Sequence, residues 1–389
     1  MSNIKLSSIG YLIVIIGLFL YSFTQVDLSL TLSRWSVWQV IQKYFQHIGY
    51  FQRPLSAFIY VAIILLLYIF YFFFLTKAYS HKISKRQIWF LITSVSIILA
   101  FSYNAFSYDL FNYIFDAKII TYYHQSPYIH KALDYLGDPM LSFMHWTHRA
   151  YPYGPIWLLL TVPLSFLGFK IFLLTFFLFK FLMAISFIGT VFFIGKILKK
   201  ISPQYELFGV VFFAFNPLVI IESLVSAHND IVMMFLAMLS IYLFMSNKYA
   251  RSLLLLVLSI GIKFATALII PVLVFWYLFR KHSWEKIIFL IIAVMIAAIV
   301  AVSLRTNFQP WYLLYALPFA ALVARKYFIL IPSVVITFFS LLQYAPFIYL
   351  GDWNPPVPTI LSYLANGSIL ASLFLIIVWS AKRLLVRKV

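Results

Sequence analysis

Ten apolar runs of roughly bilayer-spanning length constrain this chain more than any other feature. A hydrocarbon core requires about 20 apolar residues per helix. The runs occupy residues 9–26, 54–76, 88–106, 171–195, 207–225, 229–246, 287–304, 310–324, 327–350 and 360–380. Only 10% of the residues are charged, against about 25% in soluble domains. The sequence therefore predicts an all-α polytopic membrane protein with about 10–12 transmembrane helices, in one domain over residues 1–389. It excludes a water-soluble enzyme, a disordered chain and a coiled coil.

Two further apolar segments do not fit an ordinary span. Residues 155–168 are short and carry Pro155 and Pro163, which favours a helix lying in the membrane interface. Residues 252–279 are too long for one span and too short for two, and they contain Lys263. We interpret them as a broken hairpin of short helices that enters and leaves the membrane on the same side.

The basic residues decide between this hairpin and a single span. Lys and Arg collect on the cytoplasmic loops of membrane proteins. With the hairpin, most of the 29 basic residues fall on one side, including those at 280–281 and 387–388. A single span would turn the basic tail outward. We therefore predict cytoplasmic termini, an uncleaved first span at 9–26, and no nucleic-acid partner despite the net charge of +19.

The acidic residues have the opposite distribution. Most of the ten Asp and Glu residues fall on or near the outer face, and several share one polar loop. We therefore expect the chemistry there, in an outer catalytic loop over residues 107–170 that carries short interfacial helices. The chain has no cysteine, so disulfides and thiolate metal sites are excluded.

The first candidate group follows the third apolar run. If residues 107–116 are helical, four polar side chains share one face because of their spacing: Asp109, Asn112, Tyr113 and Asp116. A carboxylate shielded by aromatic rings is a plausible general base, since desolvation raises its pKa. An interfacial helix with a solvated polar face is an equally good interpretation.

The second group is a rigid turn, Tyr151-Pro152-Tyr153-Gly154-Pro155, preceded by Arg149. A guanidinium beside a rigid turn suits a phosphate, whereas tyrosines at a membrane interface are common anchors. His145 and His148 have metal-compatible spacing, but no third ligand accompanies them. We therefore assign no metal site.

The third and fourth groups combine polar residues near membrane depth. Glu222 precedes the sequence His228-Asn229-Asp230, and Lys263 lies in the broken segment. Ionisable groups within the membrane are functional candidates by default, and Lys263 requires an anionic partner. A helix cap at Asp230 and a purely structural ion pair are the alternatives.

A fifth group lies in a later outer loop that contains Arg305, Gln309 and Trp311. The cation and the amide suit a polar substrate. The alternative is a helix start with an interfacial aromatic anchor.

Taken in order, these segments resemble the GT-C superfamily of membrane glycosyltransferases, which use polyprenyl-phosphate-linked sugars. They are most similar to the bacterial polyprenol-phosphate-mannose-dependent mannosyltransferases. The matching segments are Ser107-Tyr108-Asp109, Asp116-Ala117, Gln125-Ser126-Pro127-Tyr128, Tyr151-Pro152-Tyr153-Gly154-Pro155, Asn216-Pro217-Leu218, Ala227-His228-Asn229-Asp230, Ile262-Lys263-Phe264 and Gln309-Pro310-Trp311-Tyr312-Leu313. They extend over more than half of the chain.

The resemblance implies a GT-C-like bundle and a mechanism. Asp109 would deprotonate an acceptor hydroxyl as it attacks the anomeric carbon with inversion, while Asp116 and Asp230 would orient sugar hydroxyls or supply a second base. The cations available for the departing phosphate are Arg149, His228, Lys263 and Arg305. The other expected substrate contacts are Asn112, Tyr113, Tyr151, Tyr153, Glu222, Asn229, Gln309 and Trp311. The implied partners are a polyprenyl-phosphate sugar, a glycan or glycolipid acceptor and membrane lipids, in a bacterial plasma membrane with the active site outside. No cofactor is assigned, and a divalent metal stays open.

Two other functions share these features. A lipid-linked sugar flippase or secondary transporter would place charges near the midplane, as Glu222 and Lys263 do. An O-antigen ligase or polymerase would need a large outer loop rich in arginine, whereas this loop has one, Arg149. The transferase explains more of the sequence.

Overall fold

The computed structural model describes residues 2–279 and 283–386, and all of their regular secondary structure is helical. The all-α polytopic class is therefore confirmed. The basic residues Arg280, Lys281, Arg387 and Lys388, which contributed to the predicted orientation, lie outside the described residues.

Seventeen α-helices follow one another along the described part of the chain. They are α1 (Ser2–Ser22), α2 (Ser36–Gln46), α3 (Arg53–Tyr79), α4 (Lys85–Ala100), α5 (Asp109–Thr121), α6 (Pro155–Leu167), α7 (Phe172–Ile201), α8 (Glu206–Ala214), α9 (Pro217–Ile220), α10 (Asp230–Phe244), α11 (Tyr249–Ile260), α12 (Ile269–Leu278), α13 (Trp284–Thr306), α14 (Leu317–Leu322), α15 (Tyr327–Leu342), α16 (Tyr344–Leu350) and α17 (Val357–Val386).

Six apolar helical segments are long enough to cross a bilayer: α1, α3, α7, α13, α15 joined to α16, and α17. The run at 207–225 is bent by 58° between α8 and α9, where Asn216-Pro217 interrupts the helix. The run at 310–324 is divided into a 3₁₀ turn and α14, and the runs at 88–106 and 229–246 form the shorter helices α4 and α10. The described residues thus contain fewer full-length spans than apolar runs.

The segment at 252–279 is broken into α11 and α12, with a 3₁₀ turn at Phe264–Leu268 between them. The rings of Tyr249 and Tyr277, at its two ends, lie 5.2 Å apart. Each arm is about 18 Å long at most, well short of a 30 Å hydrocarbon core. The middle of the segment, with Lys263, forms a turn in which Ile262 and Thr266 are buried and Phe264 is exposed.

Helix α3 is fastened to its neighbours by buried tyrosines. Tyr60 donates a hydrogen bond to the carbonyl of Leu341 at 2.7 Å, Tyr68 to the Thr337 hydroxyl at 2.9 Å, and Tyr71 to the carbonyl of Phe212 at 2.9 Å. Helical spacing places the three phenols on one face. Where water is absent, each hydroxyl needs a protein acceptor, and these bonds connect α3 to α8 and α15.

Helix α2 has no counterpart among the apolar runs. It is amphipathic: the side chain of Gln42 donates to the carbonyl of Leu30 at 2.6 Å, while Val37, Val40 and Tyr44 are exposed. A short helix with one polar buried face and one apolar exposed face is typical of the membrane interface. Hydropathy summed along the chain does not detect such a helix, because its polar and apolar residues alternate.

Charged clusters mark one end of the bundle. Lys85 at the start of α4 contacts Glu206 at 2.6 Å. Glu285 at the start of α13 contacts Arg325 at 2.9 Å and Lys326 at 2.8 Å. Both helices run from this basic end towards the opposite end, where the polar residues of the candidate site lie.

Close helix packing provides a test of the fold. A methyl group at Gly209 in α8 would lie 2.6 Å from the carbonyl oxygen of Ala321, so Gly209→Ala must displace backbone. We expect Gly209→Ala to lower the free energy of unfolding by about 1–3 kcal/mol and to lower the Tm in detergent. The control is Gly17→Ala in α1, where the added methyl meets nothing within 4 Å. Equal Tm values for both variants would contradict this packing.

Candidate active site

The site begins with the first turn of α5. The Ser107 hydroxyl accepts the backbone N–H of Asp109 at 3.1 Å, and the Asn104 side chain donates to the Ser107 carbonyl at 2.8 Å. These bonds start the helix at Asp109. The helix places the expected four residues on one side: Asp109, Asn112, Tyr113 and Asp116.

The two carboxylate oxygens of Asp109 face different nitrogen-bearing side chains. Oδ1 lies 3.9 Å from Nη2 of Arg149, and Oδ2 lies 3.7 Å from Nδ1 of His228. Both distances are too long for hydrogen bonds. The side chain is 13% exposed. Asp109 therefore lies between a guanidinium and an imidazole, and it keeps lone pairs that can accept a proton from a ligand.

His228 lies between two carboxylates. Its side chain is fully buried, and its Nε2 lies 3.3 Å from Oε2 of Glu222. Its ring stacks on Trp311 at a centroid distance of 4.0 Å, with the ring planes 18° apart. The stacking holds the imidazole in place, so that Asp109, His228 and Glu222 form a continuous series of ionisable groups.

Glu222 is presented by an irregular turn. Residues Ile221–Val225 form a single π-helical turn, a feature that often occurs at functional sites. The hydroxyl of Tyr344 donates to Oε1 of Glu222 at 2.9 Å. The other oxygen, Oε2, has no hydrogen-bond partner among the described residues, and it faces His228.

Lys180 holds the same turn from the other side. Its fully buried ammonium donates to the carbonyl of Leu224, to the carbonyl of Val225 at 2.9 Å and to the hydroxyl of Ser102 at 3.1 Å. A π turn leaves carbonyl groups without their usual helical partners. Lys180 supplies these missing bonds and thereby stabilises the segment that carries Glu222.

Asp230 and Lys263 form a buried ion pair. Nζ of Lys263 lies 2.9 Å and 2.8 Å from the two carboxylate oxygens of Asp230. The side chain of Asp230 is fully buried. The side chain of Asn229, which precedes α10, forms no capping hydrogen bond at the start of that helix. Instead, Oδ1 of Asn229 accepts from Tyr113 at 3.3 Å. The ion pair between Asp230 and Lys263 thus joins α10 to the turn of the broken hairpin.

The rigid tyrosine turn packs against that hairpin. The N–H of Gly154 donates to the carbonyl of Ile262 at 3.1 Å. A methyl group at Gly154 would lie 2.2 Å from the carbonyl oxygen of Gly261, so only glycine permits this approach. The Tyr151 hydroxyl donates to the Gly154 carbonyl at 2.8 Å, and the Tyr153 hydroxyl accepts from Arg149 at 3.5 Å. The turn therefore positions Arg149 beside Asp109.

Several buried polar atoms in this region have no hydrogen-bond partner among the described residues. They are Oε2 of Glu222, the hydroxyls of Ser223 and Ser226, both ring nitrogens of His228 and Nδ2 of Asn229. Buried polar groups are normally paired. Such a concentration of unpaired groups is typical of a functional site.

The fifth group is only partly brought to this site. Trp311 stacks on His228, as described above. Gln309 is half-buried and precedes the 3₁₀ turn Pro310–Tyr315. Arg305 is exposed at the end of α13 and forms no ion pair with any described residue. Of the four expected cations, three are therefore close to Asp109 or Asp230.

No group of three or more His, Asp and Glu side chains in the described part of the chain is arranged to hold a metal ion. The ring of His145 stacks on that of Tyr108 at 3.8 Å. Burial lowers the pKa of His145. The stacking gives this histidine a packing role.

Asp116 has a shifted pKa. Desolvation by the surrounding protein raises the pKa of Asp116 to about 8; Arg149 lowers it and Asp109 raises it further. The removal of water around Asp116 therefore favours its protonated form, which can donate a hydrogen bond.

Sequence reasoning missed several residues of the site. Tyr344 contacts Glu222 across a separation of 122 residues, and neither its position nor its surroundings in the sequence indicated this. Lys180 was noticeable as a charged residue within an apolar run, but its acceptors are carbonyl groups, which sequence does not distinguish. Trp157, whose ring meets Tyr113 edge to face at 5.2 Å, resembles an ordinary apolar residue.

The fold and these polar groups define a multi-pass membrane protein with a charged site at one end of its helical bundle. A family model described as "Alpha-(1->6)-mannopyranosyltransferase, N-terminal domain" matches residues 8–280. The match covers well over half of the chain, so the protein belongs to this family, MptA_B, and is a membrane glycosyltransferase. Comparison with curated proteins and with solved structures gives no match.

The raised pKa of Asp116 predicts a pH dependence of stability. Between about pH 4 and pH 8 the folded protein keeps a proton that the unfolded chain has lost, so stability falls as the pH rises through this range. Asp116→Asn removes this titration. We expect its Tm to exceed that of the wild type by several degrees at pH 8, and by little or nothing at pH 4.

Thermal unfolding across pH in a single detergent measures this difference. Asp352→Asn, at an exposed carboxylate, is the control and should follow the wild-type profile. A constant offset between Asp116→Asn and the wild type at every pH would show that Asp116 does not carry the buried proton.

Proposed function

We propose that the protein is a GT-C type enzyme that transfers a mannosyl group from a polyprenyl-phosphate donor to a glycan or glycolipid acceptor. The observation that carries this proposal is the position of Asp109. Its carboxylate is accessible and faces Arg149 and His228 on opposite oxygens. Lys263 lies nearby, in the same polar cluster. A base beside a group of cations suits a reaction that deprotonates an alcohol and releases a phosphate.

Asp109 acts as the general base. The acceptor oxygen forms a bond to the anomeric carbon while its proton passes to Asp109, and the bond from that carbon to the phosphate oxygen breaks. The bonding electrons leave with the polyprenyl phosphate. A displacement in one step inverts the anomeric carbon, so the α linkage in the family's description requires a β-linked donor.

The cations stabilise the departing phosphate. Negative charge grows on the phosphate oxygen in the transition state, and prepositioned cations there lower the barrier. The ammonium of Lys263 contacts Asp230. Because a lysine ammonium has three N–H donors, it can contact a phosphate oxygen as well. Arg149 contributes a planar group that suits phosphate oxygens. His228 is held rigidly by Trp311.

The acceptor group is a primary hydroxyl. The family's description specifies an α-(1→6) linkage, so the attacked sugar is joined through the oxygen on carbon 6 of the acceptor. This alcohol is a weak nucleophile until it is deprotonated. The reaction therefore depends on an ionised base, and burial, which raises the pKa of Asp116, disfavours that form in Asp116.

The site faces the outside of a bacterial plasma membrane, with both termini in the cytoplasm. Basic residues collect on cytoplasmic loops. Lys85, Arg325 and Lys326 lie at one end of the bundle. Helices α4 and α13 begin there and end near the site. The site is thus at the non-basic end.

A flippase for lipid-linked sugars is the second candidate, and the deeply buried Lys180 and Glu222 favour it. In the structure, however, Lys180 binds backbone carbonyls, which is a structural use of the charge. The transferase accounts for Asp109 and for the family; a flippase requires no general base.

The first test is Asp109→Asn. The amide is similar in size but accepts no proton at neutral pH, so we expect transfer to fall at least 10³-fold while the Tm changes little. The measurement uses protein in nanodiscs, radiolabelled polyprenyl-phosphate mannose and an α-mannoside acceptor, and follows both product and released polyprenyl phosphate.

Asp134→Asn is the matched control, because Asp134 lies in the same outer loop and contacts His130 instead of the site. It should retain wild-type turnover. Normal turnover by Asp109→Asn would remove Asp109 from the mechanism. Movement of intact labelled lipid across the bilayer without transfer would favour the flippase.

A second test concerns the phosphate. Arg149→Gln removes a cation from the site without leaving a fully buried carboxylate unpaired, so we expect the inhibition constant of free polyprenyl phosphate to increase about tenfold, equivalent to about 1.4 kcal/mol. Lys43→Gln, at an exposed position on α2, serves as the control. An unchanged inhibition constant would place the phosphate elsewhere.

A further inference from the structure

An open cavity lies at the basic end of the bundle, at the opposite end of α4 from the candidate active site. It is formed by the first turns of α4, the last turns of α7 and the start of α8. Its lining consists of Lys85, Trp89, Phe192, Gly195, Lys196, Lys199 and Glu206. The cavity encloses about 70 Å³, whereas one water molecule needs about 10–15 Å³ of such space. This cavity, the basic pocket, therefore has room for a phosphate group.

The basic pocket has an excess of positive charge. Three lysines and one glutamate line it, so its net formal charge is +2. Oε1 of Glu206 lies 2.6 Å from Nζ of Lys85, and Oε2 lies 3.9 Å from Nζ of Lys199. A single carboxylate is thus shared between two ammonium groups, which leaves the pocket complementary to an anion.

Lys196 is the cation best placed to bind that anion. Its Nζ lies over the ring of Phe192, 5.1 Å from the centroid. It forms no ion pair and donates no hydrogen bond to any residue that the structure describes. A lysine ammonium has three N–H donors, so all three of these remain available to a ligand in the pocket.

The basic pocket continues a surface of α7 that faces lipid. Helix α7 is long and apolar enough to span the bilayer. Phe181, Ile185 and Phe192 are 38%, 64% and 43% exposed, and their helical spacing places them on one face. Lys196 and Lys199 follow Phe192 by four and seven residues, so they extend the same face towards the membrane surface.

Trp89 indicates the depth of the pocket in the membrane. It lies one turn after Lys85 on α4, and its ring is 6.4 Å from that of Phe192. Tryptophan is enriched at the level of the lipid headgroups, and lysines near helix ends extend to the same level. The basic pocket therefore lies at the depth where phospholipids carry their phosphates.

We propose that the basic pocket binds the headgroup of an anionic phospholipid, with the phosphate at Lys196 and an acyl chain along the exposed face of α7. Basic pockets between transmembrane helices are suited to anionic headgroups. A free phosphate would match the lysines but not the apolar face that leads to them. The lipid is bound at the end of the bundle opposite to Asp109, so this site does not depend on the transferase mechanism.

The test is Lys196→Gln, with dioleoyl phosphatidylglycerol as the probe. Protein in dodecyl maltoside is titrated with this lipid, and native mass spectrometry gives the dissociation constant of the first lipid bound. We expect that constant to rise about fivefold, as loss of one lysine near a headgroup should cause. Lys196→Arg keeps the charge and should bind within about twofold of the wild type.

Lys77→Gln is the matched control. Lys77 lies at the end of the spanning helix α3, over the ring of Phe73 at 5.2 Å from the centroid, but outside the basic pocket. It removes the same charge and should leave the dissociation constant unchanged. Equal losses in Lys77→Gln and Lys196→Gln, or no loss in either, would overturn the site.

Two further ligands distinguish the lipid from its parts. Dioleoyl phosphatidylcholine has the same chains without net charge, and it should bind equally to the wild type and to Lys196→Gln. A fivefold loss with this lipid as well would show that net anionic charge is not recognised, and would overturn the proposal. Glycerol 3-phosphate has the phosphate without chains and should not displace phosphatidylglycerol at millimolar concentration. Displacement would identify a site for free phosphate instead of a lipid.

Discussion

The ion pair between Lys263 and Asp230 holds together the elements on which the site depends. Asp230 is fully buried at the start of α10, and a buried carboxylate without its cation is strongly destabilising. The pair fixes the hairpin turn against α10. Because Gly154 has no side chain, the tyrosine turn packs directly on that hairpin turn. Arg149 is carried with it, so the pair indirectly sets the distance between Arg149 and Asp109.

The polar groups of this protein fall into two kinds. Tyrosines on α3 are fully paired to distant carbonyl and hydroxyl groups, and they fasten helices together. Around His228 and Asn229, by contrast, several buried nitrogen and oxygen atoms lack partners among the described residues. Paired polar groups contribute to stability, whereas unpaired ones cost it. Among the described residues, a concentration of such unpaired atoms therefore lies around Glu222, His228 and Asn229.

Much of the fold followed from hydropathy, and the departures have physical causes. The long helices α3, α7, α13 and α17 coincide with apolar runs, because residues facing lipid must be apolar along a whole span. The run at 207–225 is broken at Asn216-Pro217, which hydropathy does not register. Helix α2 was missed because its apolar residues occupy one face. The break within 252–279 was visible from Lys263, a charge that apolar surroundings do not tolerate without a partner.

The sequence alone determined the class of protein, the basic end of the bundle and the polar segments that meet at the other end. These properties depend on composition and on spacing along one helix, which are local. Only the tertiary structure decided which groups lie together: that Asp109 lies beside Arg149 and His228, that Lys263 pairs with Asp230, and that burial raises the pKa of Asp116. Pairing and ionisation depend on distance and on the removal of water by residues far apart in the chain. For that reason, the surroundings of the two aspartates on this helix face could not be derived from their spacing of seven residues.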